Sequence, residues 1–190
     1  AVSVIPTTAT RRKTTKGRHR LAHAVGGVGM EFAESAVIDA PRGAVVAVVD
    51  DPQTQVRVTP ALTGIADVRQ QPDGGRRMVY GYGVFGLVFT GALETTTYDP
   101  PERVVFAMTG DLVGEIRWTF ESVTEDRTRF TYAASYDLSQ FPLGGLFRPV
   151  VRLVNRRELR RAVENTRRLA ESGRQTERDG ADDRIDPQLA

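Results

Sequence analysis

From Met30 to about Leu138, hydrophobic and polar residues alternate mostly with a period of two, the pattern of strands with one buried face. The alternation predicts strands over about 30–39, 63–71, 76–85, 87–98, 103–110, 114–123 and 128–138. Turn-forming residues separate them: Pro72-Asp73-Gly74-Gly75, Asp99-Pro100-Pro101-Glu102, Gly110 to Gly114, and Glu125-Asp126. Between the first two strands, Ala40-Pro41 opens a short apolar segment, Arg42 to Val49, and its proline suits the first turn of a helix. Asp51-Pro52 restarts the chain into a second short helix that ends before Thr59-Pro60. Seven strands joined by short connections predict an antiparallel meander.

The period changes near Leu143. From there to Glu171, Phe147, Val151, Val154, Ala162, Thr166 and Leu169 fall within one arc of a helix. Arg152, Arg156, Arg157, Arg160, Arg161, Arg167 and Arg168 occupy the rest. Glu158 and Glu164 interrupt those arginines, which favours a solvated face over a nucleic-acid stripe. The order of strand, two short helices, six strands and long helix predicts an α+β domain. A curved seven-stranded sheet wraps the C-terminal helix, the short helices close one end, and the curvature leaves a space that is the expected site.

Outside this pattern the chain is polar. A flexible basic arm is expected over residues 1–29, carrying Arg11, Arg12, Lys13, Lys16, Arg18 and Arg20 with no acid; the folded domain spans 30–171, and a loose polar tail 172–190. The arm lacks the apolar run of a secretory leader, and Ala44 to Val49 is too short to cross a bilayer, so a cytoplasmic protein is expected. A solvated arm is favoured over one that touches nucleic acid or an anionic membrane surface.

Composition removes whole classes of chemistry. The chain has no cysteine, and its only histidines, His19 and His23, lie in the arm. Neither a histidine-based triad nor a thiolate or histidine metal site fits the folded part, and no metal or cofactor is expected. Carboxylates, tyrosines, arginines and water remain. Strand parity turns Met78, Tyr80 and Tyr82 to one face, then Val104, Phe106 and Met108, then Ile116, Trp118 and Phe120, then Phe130, Tyr132, Tyr136 and Leu138. A plain core predicts the same pattern; the tyrosines point toward a ligand, since a buried phenol needs a partner for its hydroxyl. On the helix, Asn155 and Glu158 lie within the apolar arc, as arginine-paired edge groups or as polar anchors in a wet cavity. Gly81-Tyr82-Gly83-Val84-Phe85-Gly86 matches GxGxxG, but strands flank it on both sides, so the glycines are read as aids to sheet bending and not as a dinucleotide site.

Several segments in order resemble the START-like, or SRPBCC, superfamily with the helix-grip fold. They are Ile38-Asp39-Ala40-Pro41, Asp50-Asp51-Pro52, Tyr98-Asp99-Pro100-Pro101-Glu102-Arg103, Trp118-Thr119-Phe120-Glu121, Arg127-Thr128-Arg129-Phe130-Thr131-Tyr132 and the terminal helix. That superfamily includes polyketide cyclases, plant pathogenesis-related allergens and lipid-transfer domains. The resemblance covers about Met30 to Glu171 and implies a cavity for a small hydrophobic or amphipathic ligand. It carries no shared catalytic set, so catalytic residues stay unassigned. The expected ligand contacts are Met78, Tyr80, Tyr82, Phe89, Phe106, Met108, Trp118, Phe120, Tyr132, Tyr136, Asn155 and Glu158. Binding or carriage of a lipid- or polyketide-like molecule is the leading reading. The alternatives are a polyketide cyclase or dehydratase using Tyr, Glu or water, and an interaction module using the basic arm. Ligand identity and oligomeric state are left open.

Overall fold

The computed structural model describes residues 29–84, 86–137 and 144–182, with side chains placed over 29–84, 86–137 and 152–175. Its elements run β1 (Gly29–Ile38), α1 (Arg42–Asp50), α2 (Pro52–Val58), β2 (Leu62–Gln70), β3 (Arg76–Val84), β4 (Leu87–Asp99), β5 (Arg103–Gly110), β6 (Val113–Thr124), β7 (Arg127–Asp137) and α3 (Gly144–Asp182). The strands form one antiparallel sheet in the order β1-β7-β6-β5-β4-β3-β2, a meander in which β1 returns to pair with β7. This is the expected helix-grip architecture. The GxGxxG glycines lie in the β3–β4 hairpin: Gly86 turns with φ +78°, and a Cβ on Gly81 would sit 2.5 Å from the Thr63 hydroxyl of β2. They shape strands and open no helix.

Local chemistry sets the two short helices. Asp51 caps α2, its carboxylate accepting from the backbone N–H of Gln53 at 3.3 Å and Thr54 at 2.9 Å, with Pro52 in the first turn. α1 buries Val45 and Val49 against Ile38 and the sheet. The Thr128 hydroxyl of β7 donates to Ala40 O at 2.7 Å and so fixes the turn from β1 into α1.

α3 packs more on β1 than on any other strand. Its buried stripe is Asn155, Leu159, Ala162, Val163, Thr166 and Ala170. This corrects the expected arc: Val154 and Leu169 are only half-buried, at the stripe's edge. The i, i+4, i+7 spacing from Asn155 selects Leu159, Ala162, Val163 and Thr166, which bury together as one row. Phe147 and Val151 lie outside the described side chains.

Two expected boundaries shift. Gly29 belongs to β1, and residues 1–28, with His19 and His23, lie outside the described residues, as does Leu138. The loose tail expected from Ser172 is helical as far as Asp182. Glu171 accepts from the backbone N–H of Asp39 at 3.2 Å. Arg174 donates to Asp39 O and Asp126 O at 2.9 and 3.0 Å and pairs with the Asp126 carboxylate at 2.7 Å, so this stretch of helix is tied to the sheet's turns. Among the described residues no helix is long and apolar enough to cross a membrane.

Candidate functional site

A cavity lies between the concave face of the sheet and α3. β3 contributes Tyr80 and Tyr82 to its wall, β5 Phe106 and Met108, β6 Ile116 and Trp118, and β7 Tyr132 and Tyr136. α3 covers these with Glu158, Leu159 and Ala162. Gln55 and Thr59 at α2 close a side, and Leu62, Leu93 and Leu112 complete the apolar lining. The room open to the centres of water molecules is about 40 Å³. That is smaller than the ~150 Å³ apolar cavity that takes up benzene. Side chains must therefore shift to admit a ring-sized molecule.

Eight expected contacts therefore meet at the cavity: Tyr80, Tyr82, Phe106, Met108, Trp118, Tyr132, Tyr136 and Glu158. Four do not line it. Met78 and Phe120 point inward as parity requires, yet lie further along their strands in the packed core; Met78 has no exposed surface and Phe120 stacks on Phe130 with centroids 5.3 Å apart. Phe89 pairs with Tyr82 across the hairpin but stays half-buried outside the lining. Asn155 is buried one turn before Leu159, also outside it. Parity gives the face of a strand and is silent on which level of that face is covered by α1 and α2. The lining residues Gln55 and Thr59 were missed for a related reason: only the docking of α2 brings them there.

That docking has a clear origin. The buried Arg76 guanidinium of β3 donates to the backbone carbonyl and one carboxylate oxygen of Asp50, and Tyr98 donates to the other oxygen at 3.0 Å. Asn165 of α3 donates to Val58 O at 3.1 Å. The Gln55 amide donates to Val49 O at 2.9 Å. Sheet and terminal helix thus hold α2 from both sides.

The cavity's polar groups are of two kinds. Burial pushes the phenols of Tyr80 and Tyr132 up to about 12 and raises those of Tyr82 and Tyr136 well above the ordinary value. Neighbouring tyrosines add to the rise at Tyr136, and Tyr132 and Glu158 add to it at Tyr82. All four are neutral phenols at physiological pH, and none is a phenolate base. Tyr80 donates weakly to Leu112 O at 3.4 Å.

The second kind has no protein partner among the described residues. Trp118 is locked edge-on against Phe106 (4.9 Å, 70°) and Tyr132 (6.1 Å, 79°). Its indole N–H faces the Tyr132 hydroxyl closely enough to temper that phenol's rise, but the two do not reach hydrogen-bond geometry. Glu158 sits at the edge of the α3 stripe, its side chain 13% exposed: Oε1 accepts from Arg161 at 3.0 Å, while Oε2 is buried without a partner. Arginine pairing thus engages one Glu158 oxygen and leaves the other buried. Among the described residues no group of His, Cys, Asp or Glu is arranged to hold a metal.

This geometry coincides with a family assignment. Residues 30–171 match the family model described as polyketide cyclase / dehydrase and lipid transport. The chain belongs to that family. In structure, this member is similar to a protein of Thermus thermophilus, with a TM-score of 0.67 and 19% identity over 76% of this chain and 99% of that one. It is also similar to the Zhui aromatase/cyclase from a Streptomyces species, with a TM-score of 0.66 and 13% identity over 75% of this chain and 94% of that one. A START superfamily protein from Mycobacterium smegmatis superposes with a TM-score of 0.64 and 14% identity over 75% and 97% of the two chains. At these identities the likeness establishes the fold. No curated protein matches the chain in sequence.

Proposed function

We propose that this family member binds and carries a small, mostly apolar molecule between the sheet and α3. The observation that carries the reading is a cavity of about 40 Å³ walled by aromatic and aliphatic side chains, two of whose lining residues, Trp118 and Glu158, carry buried polar atoms that no described protein group satisfies. A few placed polar groups in an apolar concavity are the signature of a small-molecule site. The α3 arginines support the same reading over a nucleic-acid surface, because Arg156, Arg161, Arg167 and Arg168 are paired with Glu34, Glu158 and Glu164.

The cyclase or dehydratase reading has one observation in its favour: Glu158 is inward and close enough to Tyr82 to raise its phenol. Against it, the tyrosines are neutral, one Glu158 oxygen is engaged by Arg161, and a cavity of about 40 Å³ is small for a folded polyketide chain. Binding is therefore our conclusion. Calorimetric titration of the full chain with p-xylene tests it: saturable binding is expected, abolished in Ala162→Phe, where the new ring fills the cavity at a stability cost of ~1–3 kcal/mol. No saturable binding to the wild type, or undiminished binding to a folded Ala162→Phe, rejects the reading.

A further inference from the structure

We infer that Trp118 and Glu158 form a head-group filter, selecting a neutral ligand that carries a hydrogen-bond donor and an acceptor and excluding carboxylates such as fatty acids. The inference rests on the binding reading above and adds the chemical class of the ligand. Trp118 Nε1 can only donate and Glu158 Oε2, as a carboxylate oxygen, can only accept. Both are buried and without a partner among the described residues. Water does not reach either atom, so both stay unsatisfied in the empty protein, and an entering molecule that reaches them gains affinity by offering an acceptor to the indole and a donor to the carboxylate. A hydroxyl beside a carbonyl, or a primary amide, meets both demands.

Charge gives the second half of the filter. Among the described residues, Glu158 is the one charged group in the lining, which holds no lysine, arginine or histidine. Arg161, its partner, is 61% exposed and stands on the outer side of the helix edge. An anionic head group would therefore leave water to meet a like charge, with no cation inside to pair with it. Nor is the indole enough compensation, since one neutral donor replaces a full hydration shell. An ammonium head would suit Glu158 but would leave Trp118 unsatisfied, because it has no acceptor.

Three probes of one ring and similar shape separate the components: p-xylene, 4-methylbenzamide and 4-methylbenzoate. The full chain, labelled with nitrogen-15, has one tryptophan and hence one indole N–H resonance to follow. 4-Methylbenzamide should bind about tenfold or more tighter than 4-methylbenzoate and move the indole proton downfield as it acquires an acceptor. Glu158→Gln should admit the benzoate and shrink the amide-to-benzoate ratio about tenfold, while p-xylene affinity stays within about twofold. Trp118→Phe should weaken the amide several-fold relative to p-xylene. If the three probes bind alike, or the ratio is the same in wild type and Glu158→Gln, the filter is refuted while binding itself stands. If none binds, the binding reading falls and the filter with it.

Discussion

Where α1 crosses the concave sheet, Phe120 and Phe130 stack, Ile38, Val45 and Val104 are fully buried, and the hydroxyls of Thr128 and Thr166 donate to backbone carbonyls at 2.7 and 2.8 Å. Further along the same groove, Tyr82, Trp118, Tyr132 and Glu158 surround space, and two buried polar atoms go without partners among the described residues. Both regions draw on inward residues of the same strands. The difference is that α1 fills one of them, while α3 spans the other and α2 closes only its side.

The contrast predicts unequal responses to mutation. The largest effect belongs to the filled end: Phe130→Ala should cost ~3–5 kcal/mol, since its stacking partner cannot collapse into the void. Urea unfolding would show this, and a loss below about 1 kcal/mol would mean that this end is also loosely packed. Arg76→Met should cost roughly 3 kcal/mol, the low end for breaking a buried ion pair, because Asp50 retains some water and its bond from Tyr98. The same variant should loosen α2, seen as faster amide exchange at Gln55, with α1 less affected. Removing residues after Glu171 takes away Arg174 and its bonds and should cost about 1 kcal/mol. Glu158→Gln is the mildest, within about 1 kcal/mol either way, since it gives up an ion pair whose arginine is largely exposed and removes the charge from a carboxylate with an unpartnered buried oxygen.

Alkaline pH sharpens the same comparison. The cavity phenols titrate higher in the folded protein than in the unfolded chain, so the unfolded state loses protons first as pH rises. Stability from Tyr80 and Tyr132 is complete below about pH 10, their ordinary value, and is lost as pH climbs through about 12. Tyr132→Phe should flatten that decline in a pH series of melting temperatures; an unchanged slope would place the phenol in water.

The fold was legible because its signals are local. Asp51-Pro52 caps a helix wherever it occurs in such a setting, and the turns Pro72 to Gly75 and Asp99 to Glu102 punctuate strands whose alternation gives their buried face. The site was half legible. Alternation named Tyr80, Trp118 and Tyr132, but the level at which the groove stays hollow depends on where α1 and α2 dock, and that depends on Arg76 meeting Asp50 across 26 positions of sequence. For this reason Met78 and Phe120 were expected at the cavity and Gln55 was not. The helix beyond Glu171 was hidden too, because its polar sequence shows no stripe and its anchor, Arg174, acts through backbone carbonyls of distant turns.

The central claim, that the groove is hollow and receptive at one end and solid at the other, is tested most directly by methyl NMR of the full chain titrated with p-xylene. Saturable shifts are predicted at Leu93, Met108, Ile116 and Leu159, which line the cavity, and none at Ile38, Val45 or Val104. Shifts spread evenly over both sets, or absent from the first, would contradict it.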